Sequence, residues 1–119
     1  MTFKLIVAGG RDFKDYGLLE QAVIRYVISR DVPWSKITII SGGAIGADTL
    51  GEEFAEKFNL DLERFVPDWT VGKQGGAIRN AEMAKHADGL IAFYNGSNGT
   101  ANMIQTARRK KLDVEVIRY

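Results

Sequence analysis

The chain has 119 residues, 45% of them hydrophobic, and its 16 basic and 15 acidic side chains leave a net charge of +1. That length suits one compact domain over 1–119, and the charge balance argues against a broad nucleic-acid or membrane-binding surface. With no cysteine and one histidine, disulfides, thiolate sites and cysteine nucleophiles are excluded and a metal centre is not expected; with no signal-like or bilayer-length apolar run, a cytoplasmic location is expected.

Phe3 to Ala8 reads as a buried strand ending at Gly9-Gly10. After Arg11-Asp12-Phe13 a helix runs from about Asp15 to Ser29, because Leu18, Leu19, Ala22, Val23, Tyr26 and Val27 recur at helical spacing. Asp15 is its N-cap candidate. Val32 to Ser35 is a loop, and Ile37 to Ile40 a second strand. It feeds Ser41-Gly42-Gly43-Ala44-Ile45-Gly46-Ala47-Asp48, and a second helix follows from Ala47 to Phe58 with Leu50, Phe54, Ala55 and Phe58 on one face. Leu62 to Val66 is a third strand, stopped by Pro67; Gly72 to Gly76 is a glycine loop and Ala77 to His86 a third helix. Gly89 to Tyr94 is the fourth strand, Asn95 to Gly99 a turn, Thr100 to Lys111 the fourth helix and Val114 to Ile117 the fifth strand.

Strict alternation of strand and helix implies βαβ crossovers. The fold class expected is α/β, an open and mainly parallel five-stranded sheet with helices on both faces, since the strands are short continuous apolar runs. In such sheets the ligand crevice lies beyond the carboxyl ends of the strands. Glycine turns fall at three of those ends, Gly9-Gly10, Gly42-Gly43 and Asn95 to Gly99, and a fourth follows the third strand. Glycine lets the backbone approach a ligand closely, and the amides of a following helix point at an anion. The 41–48 segment is neither a Walker A loop nor a G-x-G-x-x-G fingerprint, and a tight turn without ligand is the competing reading.

Among polar residues at that edge, Arg11 is suited to grip a phosphate with its planar fork, or else it merely fixes the loop with Asp12. Asp48 either accepts from a ribose hydroxyl or turn amides, or caps the helix dipole. Arg79 and Asn80, inside the third helix after Lys73 and Gly75-Gly76, can close over an anion or face solvent. Trp69 and Tyr94 can stack on a base, although aromatics there are more often core. His86 and Arg108-Arg109-Lys110-Lys111 are read as partners of helix C-termini.

The ordered set Val7-Ala8-Gly9-Gly10-Arg11-Asp12-Phe13, Ser41 to Asp48, Gly75-Gly76-Ala77-Ile78-Arg79-Asn80 and Gly99-Thr100-Ala101-Asn102-Met103 resembles the SLOG superfamily, in particular its small single-domain YspA-like branch of bacteria and phages. The resemblance covers essentially the whole chain. It implies a Rossmann-like fold that binds nucleotides or nucleotide-derived ligands, and a possible homo-oligomer such as a homodimer. Relatives include LOG phosphoribohydrolases, which release a base from a nucleotide, and the DNA-processing protein A family, which binds single-stranded DNA. Two departures stand out. The LOG motif Pro-Gly-Gly-x-Gly-Thr-x-x-Glu ends in a catalytic glutamate where this chain has Met103, and a thioether does no acid–base chemistry; Glu82 or Asp12 would have to substitute. Relatives also often carry arginine where Ile45 stands.

The function expected is a non-catalytic binder of a nucleotide or an ADP-ribose-like or cyclic derivative, a sensor or a protein that sequesters a signal. No cofactor and no catalytic residue are assigned. The backbone amides of Gly42 to Ala47, Gly43, Ala44 and Gly46 among them, with those of Gly99 and Thr100, would hold phosphates; Arg11 and Arg79 would clamp them; and Asp48 or Asn80 would address sugar or base. Gly9, Gly10, Asp12, Ser41 and Asn95 complete the ligand-binding set. The alternatives are a nucleoside 5′-monophosphate N-glycosidase and a single-stranded nucleic-acid binder, the latter disfavoured by near-neutral charge.

Overall fold

The computed structural model describes residues 2–119. In chain order the elements are β1 (Phe3–Gly9), α1 (Tyr16–Ser29), β2 (Ile37–Ser41), α2 (Ala47–Lys57), β3 (Asp61–Arg64), α3 (Gly75–His86), β4 (Gly89–Tyr94), α4 (Asn98–Arg109) and β5 (Asp113–Arg118). Short 3-10 turns at Trp34–Lys36 and Trp69–Val71 precede β2 and α3. The strands form one sheet in the order β3-β2-β1-β4-β5, and every neighbouring pair is parallel. The sheet is thus wholly parallel, and the fold is Rossmann-like.

Alternate residues of each strand leave opposite faces, so each inner strand serves two cores. Leu5, Val7, Ile39, Ile91 and Phe93 meet α1 and α2 through Leu19, Val23, Ala47 and Phe54. Ile6, Ala8, Ile40, Leu90 and Ala92 meet α3 and α4 through Met83, Ala84, Met103, Ile104 and Ala107. Each aliphatic or aromatic side chain fully buried here stabilises the fold by about 1.5–3 kcal/mol. The three inner strands therefore carry the core, while β3 has mostly exposed residues and β5 mostly half-buried ones.

Asp15 caps α1 as expected, its carboxylate accepting from the Leu18 amide at 3.0 Å. Some element bounds differ from the sequence reading. β3 spans Asp61–Arg64 rather than 62–66, the first 3-10 turn overlaps the loop read at 32–35, and the second lies between the third strand and the glycine loop, in a segment assigned no element from sequence. α3 begins at Gly75 and α4 at Asn98, so Gly75-Gly76 and Gly99-Thr100 sit in first helical turns. Amides in a first turn have no intrahelical acceptor, which makes that position tolerant of glycine. Among the described residues no helix is long and apolar enough to cross a membrane.

The chain runs from β1 outward to β2 and β3, then crosses back so that β4 pairs with the other side of β1. The carboxyl ends of β1 and β4 are consequently a topological switch point, the place where open α/β sheets leave a crevice.

Candidate functional site

A cleft of about 660 Å³ opens at that switch point, within the range of small-molecule sites. Of the residues singled out from sequence, Gly9, Arg11, Asp12, Asp48, Arg79, Asn80, Asn95, Gly99 and Thr100 line it. Gly10, Ser41, Gly42, Gly43, Gly46 and Ala47 do not line it; Ser41, Gly42 and Ala47 are buried behind it, while Gly43 is exposed beside Arg64 and Val66.

The β2–α2 turn has its polar groups largely engaged within the protein. Ser41 Oγ accepts from the Gly43 amide at 3.0 Å and donates to Glu52 Oε2 at 2.6 Å. Arg64 grips the same carboxylate through Nε at 2.9 Å and Nη2 at 2.5 Å. Asp48 Oδ2 accepts from the Ala44 amide at 3.2 Å, and the Ala47 amide donates to Gly10 O at 3.2 Å. The amides of Gly43, Ala44 and Ala47, expected from sequence to hold phosphate, thus already have protein acceptors. Gly46 has φ +85°, and a β-carbon there would lie 2.3 Å from Gly10 O, so the turn is seated tightly on the β1–α1 loop.

Asp48 is 5% exposed. Burial pushes its carboxyl up to about 6, against the opposing pull of the Ala44 amide and the Arg79 and Arg11 charges. Arg79 Nη1 donates to Gly42 O and its Nε donates to Asn80 Oδ1 at 2.9 Å. Burial lowers its pKa from the ordinary guanidinium value, and Arg11 adds to this while Asp48 opposes it. Gly42 makes room for the pair: a β-carbon there would stand 2.6 Å from Arg79 Nη1 and 2.8 Å from Asp48 Oδ2. Asn80 Nδ2 in turn reaches Asn102 Oδ1 at 2.9 Å and Gly99 O at 3.4 Å. A polar chain therefore runs from the β2–α2 turn through α3 to the first turn of α4.

On the opposite wall, Asp12 accepts from the Tyr119 hydroxyl at 2.6 Å and from Asn95 Nδ2 at 3.0 Å. The Tyr119 hydrogen bond is the main force holding the Asp12 carboxyl below its usual value, and burial followed by Asp12 pushes the Tyr119 phenol up to about 12. Asp12 is engaged there rather than with Arg11, which makes no ion pair among the described residues. The start of α4 differs from the β2–α2 turn: Ser97 makes no side-chain bond to the helix amides, and its hydroxyl donates to Thr100 Oγ1 at 2.8 Å. A β-carbon on Gly99 would meet nothing within 4 Å.

Met103, 1% exposed, lies at the cleft floor. Glu82 is outside the cleft, exposed and 3.7 Å from His86, whose ring stacks on Phe65. Tyr94 also stays off the cleft; it packs on the α3–α4 side of the core, with the Arg118 guanidinium 5.5 Å from its ring centre. Trp69, Lys73 and Asn102 also line the cleft and stand outside the ligand-binding set read from sequence; Trp69, weighed there for base stacking but read more readily as core, precedes the glycine loop, and Lys73 lies within it. Tyr119 carries no local signal, since only folding brings it to Asp12.

A family model described as "YspA, cpYpsA-related SLOG family" matches residues 3–72. Among solved structures, DNA processing protein A from Streptococcus pneumoniae aligns with TM-score 0.73 at 17% identity, covering 98% of this chain and 50% of that one. The chain thus spans about half the length of that protein. TM1055, a structural-genomics target, aligns with TM-score 0.66 at 17% identity over 96% of this chain and 72% of that one. At these identities the likeness is one of fold. No curated protein matches the chain.

Proposed function

This chain belongs to the YspA, cpYpsA-related SLOG family, and on that footing we propose that its carboxyl-edge cleft binds a nucleotide or nucleotide-derived small molecule. The observation that carries the reading is the convergence of Arg11, Lys73 and Arg79 with the first turn of α4 on one cleft. The α4 amides at Asn98, Gly99 and Thr100 have no capping side chain, and the positive end of a helix favours a phosphate there. Arg11, with no ion-pair partner among the described residues, supplies the cation, whereas Arg79 donates to Gly42 O and supports the wall. Asp48 and Asn80 line the same cleft and would address sugar hydroxyls or base edges, Asn80 by exchanging a bond it now makes within the protein. The protein acts as a sensor or as a sequestering protein.

Calorimetric titration and thermal melts with a nucleotide panel test this, because a ligand that binds only the folded state raises the melting temperature. Arg11→Ala is expected to weaken binding by about 1–3 kcal/mol, the range of a charge-assisted contact, with little change in unliganded stability. Arg79→Ala should weaken binding and also destabilise the fold. A panel that gives neither heat nor a shift in melting temperature would sink the proposal.

One observation favours a second reading, an N-glycosidase: Asp48 is a cleft carboxyl with a pKa pushed toward neutrality, as acid–base groups often are. In that reading Asp48 takes the proton of a water whose oxygen bonds to C1′, the C1′–N bond breaks, and Asp48 hands that same proton to the departing base. Chromatography of nucleoside monophosphates incubated with the protein separates the two. The binder reading expects no free base; turnover abolished by Asp48→Asn would replace it.

A further inference from the structure

The two tryptophans of this chain occupy opposite environments. Trp34 packs against Phe54 and Phe58, with ring centres 6.3 Å and 6.1 Å apart, as part of the α1–α2 core. Trp69 is 55% exposed, lines the cleft, and has no aromatic neighbour among the described residues. A large exposed apolar ring at a cleft is an informative departure from ordinary burial.

The backbone around Trp69 is arranged to hold the indole in place. Asp68 Oδ1 accepts from the Thr70 amide at 3.0 Å, and the Gly72 amide donates to Trp69 O at 3.0 Å, which closes the 3-10 turn. The indole then lies across the start of α3. A β-carbon on Gly75 would stand 3.1 Å from its Cε3 and one on Gly76 3.3 Å from its Cη2. The two glycines therefore form a bed without side chains on which the benzene half of the ring rests. This gives Gly75-Gly76 a role apart from anion binding.

We infer that Trp69 is the stacking platform for the base of the bound nucleotide, so that the site selects ligands with an aromatic base over sugar phosphates lacking one. The inference rests on the nucleotide reading above and adds the part of the ligand that the cations leave unrecognised. Every base has a π-face, so stacking recognises bases as a class. Arg11 and the α4 start line the same cleft as Trp69, so one molecule bearing both a phosphate and a base can engage both. The cleft, about 660 Å³, has the size of a small-molecule site, and the net charge is only +1, which favours a small nucleotide over a polynucleotide.

The test is calorimetry with AMP, ADP-ribose, ribose 5-phosphate and a short single-stranded oligonucleotide. The titrations use the wild-type protein and the Trp69→Ala and Trp69→Phe variants, each checked for folding by circular dichroism. Because Trp69 is exposed, both variants should fold. Trp69→Ala should lose about ten-fold or more in affinity for AMP or ADP-ribose, in keeping with the loss of one base stack. Its affinity for ribose 5-phosphate should not change, and Trp69→Phe should recover most of the loss. The inference is overturned while the nucleotide reading survives if Trp69→Ala binds AMP and ADP-ribose like the wild type, or loses ribose 5-phosphate equally. Tighter binding of the oligonucleotide than of any mononucleotide overturns the choice of ligand class. Wild-type protein that binds neither AMP nor ADP-ribose overturns the stacking inference together with the reading beneath it.

Discussion

Two glycine-bearing strand-to-helix turns, β2–α2 and β4–α4, look alike in sequence and behave differently in the fold. In the β2–α2 turn, Ser41 Oγ, Asp48 Oδ2 and Gly10 O accept the amides of Gly43, Ala44 and Ala47. Its third glycine is pressed against the Gly10 carbonyl. In the β4–α4 turn the helix start has no side-chain cap, and Gly99 faces open space in the cleft. Glycine in the first turn thus permits close packing between backbones, and in the second it leaves room for a ligand. A glycine motif marks close approach, and only the neighbours decide whether the approaching group is protein or ligand.

Gly46→Val tests the packed turn and has the largest expected effect. At φ +85° an L-residue is strained, and its β-carbon would meet Gly10 O at 2.3 Å. Backbone strain alone costs about 1–3 kcal/mol, and the clash with a carbonyl adds to it. Chemical denaturation should show a loss of about 3 kcal/mol or more, or no folded protein. A near-neutral result would mean that the two loops are not packed together as described.

Asp48→Asn probes the same turn through pH. The folded-state carboxyl, at about 6, lies above its ordinary value of 3.8, so the folded protein holds this proton more tightly than the unfolded chain. The resulting stabilisation is complete below about pH 4 and is lost as pH rises through about 6, a decline of up to about 3 kcal/mol from this group. Denaturation from pH 4 to 7 should show the difference between wild type and Asp48→Asn changing in that window, and the Ala44 amide can still bond to the asparagine oxygen. A difference constant with pH would contradict the buried, raised carboxyl.

Gly99→Val sharpens the open side of the comparison. With no atom within 4 Å of the added carbon, stability should change by less than about 0.5 kcal/mol. Nucleotide affinity should fall about ten-fold, equivalent to about 1.4 kcal/mol, because the branched side chain enters the cleft. Loss of stability with unchanged affinity would reverse the assignment of the two turns. Tyr119→Phe has the smallest expected effect: removing the hydroxyl that Asp12 accepts should leave the melting temperature nearly unchanged and quicken amide exchange at Gly10 and Phe13, read by NMR. Unchanged exchange would show that Tyr119 does not steady the Arg11 loop.

Much of the candidate site was legible from the chain because most of its residues follow strand ends directly, with Arg79 and Asn80 brought in by α3. Arg11, Asp12, Asp48, Arg79, Asn80, Asn95, Gly99 and Thr100 reach one cleft through parallel strands whose carboxyl ends all lie on one edge. Glu82, weighed as a substitute carboxylate, is on the outer side of α3 beside His86. Helical register relative to the sheet decides that, and short motifs do not carry it. Trp69, read more readily as core, is exposed because the α3 start beneath it offers two glycines and no pocket.

Periodicity and punctuation in the sequence by themselves determined an α/β protein with alternating elements and glycine turns at the carboxyl edge. These follow from local rules: the side-chain period of strand or helix, and the few residues able to turn the chain tightly. That only the three inner strands are buried on both faces, with β3 mostly exposed and β5 half-buried, came from the fold. Tertiary structure alone decided the strand order, which turn amides are occupied, and which wall each polar side chain joins. Those depend on pairings between residues far apart, such as Asn95 with Asp12 across 83 positions and Tyr119 with Asp12 across 107. An amide's availability to a ligand is set by whether such a distant partner has already taken it, and no local pattern of residues records that.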